Sequence, residues 1–142
     1  MDNLARGYIT SGVYNSTRTP QHIQNQIIKL YCDSHDLRYI LSRAEYWMNG
    51  NTQSQLWAAL EEGYPHIVLF SLWQLPAIFR ERIRIYKHCF EKQIVLHFAV
   101  ERLKIDPGCN FASEVEMIIQ SDTLLSQPDY HNYMRTLKEL IQ

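Results

Sequence analysis

Four short apolar runs recur along the chain: Gly7–Thr10, Leu37–Ser42, Ile67–Ser71 and Ile94–Val100. They start about 30 residues apart, the length of one strand-plus-helix unit. The last two are almost continuously apolar and do not alternate. That pattern predicts strands covered on both faces, as in a parallel sheet. Each gap carries a helical period. In the first, Ile23, Ile27, Leu30 and Tyr31 share a face, with Thr19 as cap and Pro20 as the first helical residue. In the second, Thr52–Gln55 reads as a capping box ahead of Leu56, Ala59 and Leu60, and Gly63 stands where a terminating glycine belongs. In the third, Pro76 opens a segment with Phe79, Ile83, Tyr86 and Phe90 on one face and Arg80, Arg84 and Lys87 on another.

Residues 1–105 therefore read β-α-β-α-β-α-β. The expected fold is α/β, a three-layer open sheet of about four parallel strands with helices on both faces. The Asp106-Pro-Gly108 turn breaks the pattern. Residues 106–142 are expected to form a helical C-terminal extension that packs on the core or on a partner subunit.

Composition narrows the function classes. The chain has 142 residues, 14 Lys+Arg against 15 Asp+Glu, and a net charge of −1. Binding nucleic acid by phosphate neutralisation usually needs a basic excess, so no nucleic-acid partner is expected. Mean hydropathy is −0.31. No apolar run reaches the roughly 20 residues of a membrane span, and MDNLARGYIT lacks a signal-peptide layout. The three cysteines, Cys32, Cys89 and Cys109, form no CxxC. They read as reduced thiols in a cytoplasmic protein. The six histidines form no HxH or HExxH, so no metal is expected. Neither GxGxxG nor GxxxxGK[ST] occurs, so no cofactor is expected.

In open parallel sheets, ligands bind beyond the carboxyl ends of the strands. That rule selects Ser11 and Arg18 after the first run, Ser42, Glu45 and Tyr46 after the second, Ser71 after the third and Glu101 after the fourth. Gln21 and Gln24 fall on the first turns of the helix that enters this rim. Arg18 and that helix N-terminus suit a phosphate or carboxylate; the hydroxyls of the loop equally suit capping. Glu45 and Glu101 are the acid–base candidates, and equally bind sugar hydroxyls or pair with arginine. Ser11 is a nucleophile only beside a base. His97 reads as a satisfied core histidine, and Arg80–Arg84 as a solvated helix face.

Two resemblances rest on these residues. Gly7-Tyr-Ile, the hydroxyl-rich loop, the Gln-containing helix and Ser71-Leu-Trp-Gln-Leu-Pro76 resemble the catalytic domain of serine recombinases over residues 5–103. The departures are large. Thr10-Ser11-Gly12 stands where that family has Arg-Val-Ser, and Trp73–Ala77 where it has its arginine motif. Strand exchange without those guanidinium groups lacks its main charge stabilisers. The closer resemblance is to the sporadic carbohydrate cluster proteins of bacterial surface-polysaccharide gene clusters. It rests on Gly7–Ser11, Arg18, Pro20-Gln21, Gln24-Asn25, Tyr31-Cys32, Leu41-Ser42, Glu45-Tyr46, Met48, Ser71-Leu72, Leu75-Pro76, Arg84, Tyr86, Leu96–Ala99 and Glu101.

The recombinase resemblance implies a resolvase-like variant of the open, flavodoxin-like sheet. The carbohydrate-cluster resemblance implies a role in surface-glycan (polysaccharide or O-antigen) biosynthesis. The combined expectation is a sugar phosphate or nucleotide sugar at the rim. Glu45, Glu101 and Ser11 are the candidate catalytic groups, and Arg18, Gln21, Gln24, Ser42, Tyr46 and Ser71 the binding groups. A homo-oligomer is expected. The alternatives are a non-catalytic interaction module and a degenerate DNA-binding domain.

Overall fold

Strand order explains where a site can form. In the computed structural model of the chain, residues 3–12, 18–46, 53–108 and 112–125 are described, with 135, 139 and 140. The elements run β1 (Leu4–Thr10), α1 (Gln21–Ser34), β2 (Arg38–Glu45), α2 (Ser54–Glu61), β3 (His66–Leu69) and a 3₁₀ turn (Leu72–Gln74). They continue with α3 (Phe79–Lys92), β4 (Val95–Phe98), β5 (Leu103–Ile105) and α4 (Ser113–Leu125). The chain divides into two units, 1–111 and 112–142. The first holds the sheet, α1, α2 and α3, and the second holds α4. No described helix is long and apolar enough to cross a membrane.

The sheet order is β2-β1-β3-β4-β5. The first four strands are parallel and β5 runs antiparallel to β4. The fold is α/β with helices on both faces of the sheet. One face is covered by α1, whose Ile28, Tyr31 and Cys32 pack on Ala5, Ile9, Val68, Phe70 and Ala99. The alternate residues of β1 face α2: Arg6 pairs with Glu62, and Tyr8 approaches the start of α2 through Glu45. Contacts of His88 with the Leu60 carbonyl and of Arg84 with the Trp57 ring join α3 to α2. Right-handed crossovers account for this division, because the chain moves one way from β1 to β2 and the other way from β2 through β3 to β4.

Four expectations change. The sheet has a fifth strand. Arg102 at φ 56° helps reverse the chain after β4, and Leu103–Ile105 then pairs back on Leu96–Phe98. Strand β2 runs three residues beyond Ser42, to Glu45. It carries a register shift beside β1, where Ala5 pairs with Tyr39 but Gly7 with Ser42. A Cβ on Gly7 would collide with the Ser42 hydroxyl, so the glycine is what lets β2 lie this close.

The buried faces of two helices are also rotated. On α1 the buried residues are Gln24, Ile28, Tyr31 and Cys32, and Leu30 is 65% exposed. Polar anchors decide that face: Gln24 bonds the β1 main chain and Tyr31 bonds His97. On α3 the buried residues are Arg82, Ile85, Tyr86 and Cys89, while Phe79 and Phe90 are half exposed. Arg82 turns inward because its guanidinium caps the carbonyls of Pro76 and Ala77. Pro20, not Thr19, occupies the cap of α1, and no side chain caps that helix. The cap of α2 is Gln53, not the expected Thr52, which itself lies outside the described residues.

Candidate functional site

The chain order reverses between β1 and β3. From β1 the chain turns to α1 on one face, and from β3 towards α3 on the other. The carboxyl ends of these two strands are the switch point where doubly wound sheets bind ligands.

A buried polar network lies at this switch point. The Gln24 amide donates from Nε2 to the Thr10 and Thr19 carbonyls, at 2.7 Å each. Its Oε1 accepts from the Thr10 N–H at 3.1 Å and from Gln74 Nε2 at 2.9 Å. Gln74 Nε2 also donates to the Thr10 hydroxyl at 3.2 Å. The Gln74 carbonyl accepts from Gln53 Nε2 at 2.6 Å. Thr10, Gln24, Gln53 and Gln74 are all buried. One set of amides therefore ties β1, α1, the start of α2 and the turn after β3 together. Buried amides cost little when every donor and acceptor is met.

The β3 turn is built by Ser71. Its hydroxyl caps the Trp73 N–H, and the Gln74 side chain returns to the Ser71 N–H. The same hydroxyl donates to Glu101 Oε2 at 2.7 Å, and the Leu72 N–H donates to Glu101 Oε1 at 3.0 Å. Glu101 is partly exposed. Two donors fix its carboxylate, and its remaining lone pairs are available to a ligand hydroxyl or N–H.

Glu45 takes a different role. It is buried, with Oε1 accepting from the Tyr8 hydroxyl at 3.1 Å, the Gln55 N–H at 3.0 Å and the Leu56 N–H at 3.4 Å. Ser54 donates to Oε2 at 3.4 Å. The end of one strand thus supplies a negative cap to the helix that follows, where the dipole favours it. Gln53, the cap residue itself, sits in the left-handed region and makes no side-chain cap. Burial and the Glu45 charge push the Tyr8 hydroxyl far up, so it stays a phenol. The geometry of Glu45 is that of a cap, with its oxygens committed to backbone and Tyr8.

The rim gathers Gln24, Ser71 and Glu101 around the switch point, with Thr10 and Gln74. The Ser11 N–H extends the β1–β2 ladder to the Glu45 carbonyl at 3.0 Å. Arg18 and Tyr46 are exposed. Gln21 is half-buried on the first turn of α1, and its Nε2 is buried with no hydrogen-bond partner. Ser42 leaves the rim. Because β2 continues to Glu45, Ser42 pairs with Gly7 midway along the β1–β2 ladder and shares a 2.8 Å hydrogen bond with Tyr39. Residues 13–17 of the hydroxyl-rich loop lie outside the described residues. Arg80, Arg84 and Lys87 are exposed, and Arg84 pairs with Glu81.

Two members of the network, Tyr8 and Gln53, escape a reading of periodicity. Tyr8 lies inside an apolar run, where its hydroxyl is the only hint. The signal for Gln53 is weak but present, since glutamines 24, 53 and 74 each fall between one strand and the next, after β1, β2 and β3. Among the described residues, no group of three or more His, Cys, Asp or Glu side chains is placed to hold a metal ion. No family model matches the chain, and no curated protein matches it.

Proposed function

We propose that the chain binds a phosphorylated or nucleotide-linked sugar at the carboxyl ends of β1 and β3, as a cytoplasmic component of bacterial surface-carbohydrate biosynthesis. One observation carries the reading: at the β1/β3 reversal Thr10, Gln24 and Gln74 form one buried hydrogen-bonded network, with the Glu101 carboxylate fixed beside the same turn. Such a network fixes the strand ends and the turn around a ligand in advance, which lowers the entropic cost of binding. Glu101 follows β4, two strands and about 10 Å from β1. That span suits a sugar whose hydroxyls meet the carboxylate while its phosphate meets Arg18 and the start of α1. The resemblance of residues 7–103 to the carbohydrate-cluster proteins supports the same substrate class.

Calorimetric titration with a panel of sugar phosphates and nucleotide sugars tests the reading. At least one member binds, and Arg18→Ala weakens it about tenfold, the loss of one charge-assisted contact. Failure of the whole panel, or identical binding by the variant, overturns the site. The interaction-module reading keeps one observation in its favour: Ile78 and Phe79 at the start of α3 are 65% and 51% exposed. It predicts that Ile78→Ser and Phe79→Ser change sedimentation and leave small-molecule binding untouched.

A further inference from the structure

The opposite end of α1 holds a second polar cluster, away from the switch point. The Tyr31 hydroxyl, in the last turns of α1, lies 2.7 Å from His97 Nδ1 on β4. His97 Nε2 lies 2.9 Å from His66 Nδ1 at the start of β3. The His35 ring stacks on Tyr31 at 4.0 Å, and its Nδ1 meets the Tyr31 carbonyl at 2.8 Å. Tyr31 and His97 are buried. These contacts join one helix to two strands through three hydrogen-bonding side chains.

Proton counting makes this joint unlike an amide. Each neutral imidazole has one N–H donor and one acceptor nitrogen. With one proton on each ring, the pair has one donor facing one acceptor, and the far nitrogen of His97 can still serve the Tyr31 hydroxyl. One extra proton is tolerated on His66, because its charged ring can donate to a neutral His97. A proton on both rings sets two N–H groups against each other across 2.9 Å, and the contact fails.

We propose that the His66–His97–Tyr31 chain is a pH-sensitive clasp, which holds the C-terminal half of α1 on the sheet near neutral pH and releases it in acid. The N-terminal half stays fixed by Gln24, whose bonds do not titrate. The groups around the pair reinforce the behaviour. Tyr31, Cys32 and His35 face it from α1, Arg102 from the β4–β5 turn and Lys104 from β5, directly across from His97. Burial is the main cause that lowers His97 from 6.5 to about 3, and His66, Lys104 and His35 add to it.

The sign follows. A histidine lowered in the closed state favours that state above 6.5 and loses the advantage as pH falls toward 3. From pH 7 to pH 5, His97 alone raises the opening constant about 25-fold, taking 6.5 for the open ring and about 3 for the closed one.

Native-state hydrogen exchange on the full chain, with rates corrected for intrinsic pH dependence, reads this directly. Between pH 7 and pH 5, amides 31–34 lose protection by about 25-fold more than amides 24–27. In His97→Gln, which keeps a donor and an acceptor but no titration, the excess disappears. Equal loss in both halves means that only global unfolding responds to acid, and it overturns the clasp. Persistence of the excess in His97→Gln also overturns it. Should that variant not fold, ¹⁵N spectra of wild-type His97 decide. A neutral ring at pH 5 together with the excess supports the clasp, and a charged ring in the folded chain overturns it.

Discussion

The two ends of α1 solve one problem in two ways. Each buries a polar group between helix and sheet, where an unmet donor or acceptor is costly. At the N-terminal end the group is an amide. Gln24 makes four hydrogen bonds, two given and two taken, which is the full capacity of that side chain. None of the four depends on pH. At the C-terminal end the group is an imidazole, and its capacity changes with every proton. The end beside the switch point is thus held by a joint of constant strength, and the remote end by one that acid weakens. The carboxyl ends of β1 and β3 rest on amides, and titration is kept at the other end of the helix.

Removing the amide joint is the sharpest way to break this contrast. Gln24→Ala strands the Thr10 N–H and carbonyl, the Thr19 carbonyl and one Gln74 N–H together. The expected loss of stability in urea denaturation is about 3 kcal/mol or more, since several buried groups each lose their partner. The loss is the same at pH 7 and pH 5. Gln24→Met, with similar volume, recovers little, because volume is not what Gln24 supplies. A cost below about 1 kcal/mol would mean that water or a local shift replaces the amide, and the network at the switch point would not be rigid.

A smaller effect belongs to Glu45, the charged joint between β2 and α2. Glu45→Gln keeps the shape and removes the charge at the helix N-terminus. It costs about 1–2 kcal/mol at pH 7, from the weaker cap and the weaker bond to Tyr8. Ligand affinity is unchanged if Glu45 is a cap. A large fall in affinity with little loss of stability would instead return Glu45 to the binding site.

The two ends were not equally legible in the sequence. The parallel sheet followed from the apolar runs, because Ile67–Phe70 and Leu96–Ala99 admit few polar residues and must be covered on both faces. Glu101, Ser71 and Gln24 were found at the rim because they follow strand ends or open a helix. The short β5 was missed, since Leu103–Ile105 holds three residues with a lysine between two apolar ones. The faces of α1 and α3 were misplaced for one reason. Periodicity counts apolar positions, whereas Gln24, Tyr31 and Arg82 are polar groups buried by specific partners. Ser42 was set at the rim because the apolar run ends there, but β2 continues through Arg43–Glu45 on an edge where polar side chains are tolerated. The histidine cluster unites residues 31, 66 and 97, and no local pattern signals that pairing.

The smallest effect settles the direction of the proton chain. Burial pushes the Tyr31 hydroxyl up to about 12, so it remains a phenol throughout the acid range. If it donates to His97 Nδ1, it stabilises the neutral ring. Tyr31→Phe then costs about 1 kcal/mol at pH 7. It also raises the folded-state pKa of His97 from about 3 toward 6.5. The native ring then charges more readily, so the variant loses less stability than wild type as the pH falls toward 4. The cost of the substitution shrinks on acidification. If instead His97 Nδ1–H donates to the hydroxyl, both charge states of the ring keep that bond, and the cost stays constant to pH 4. A constant cost therefore assigns the order His66 Nδ1–H to His97 Nε2, then His97 Nδ1–H to Tyr31. A shrinking cost assigns the reverse order, in which the Tyr31 hydroxyl donates to His97 Nδ1 and His97 Nε2–H donates to His66 Nδ1.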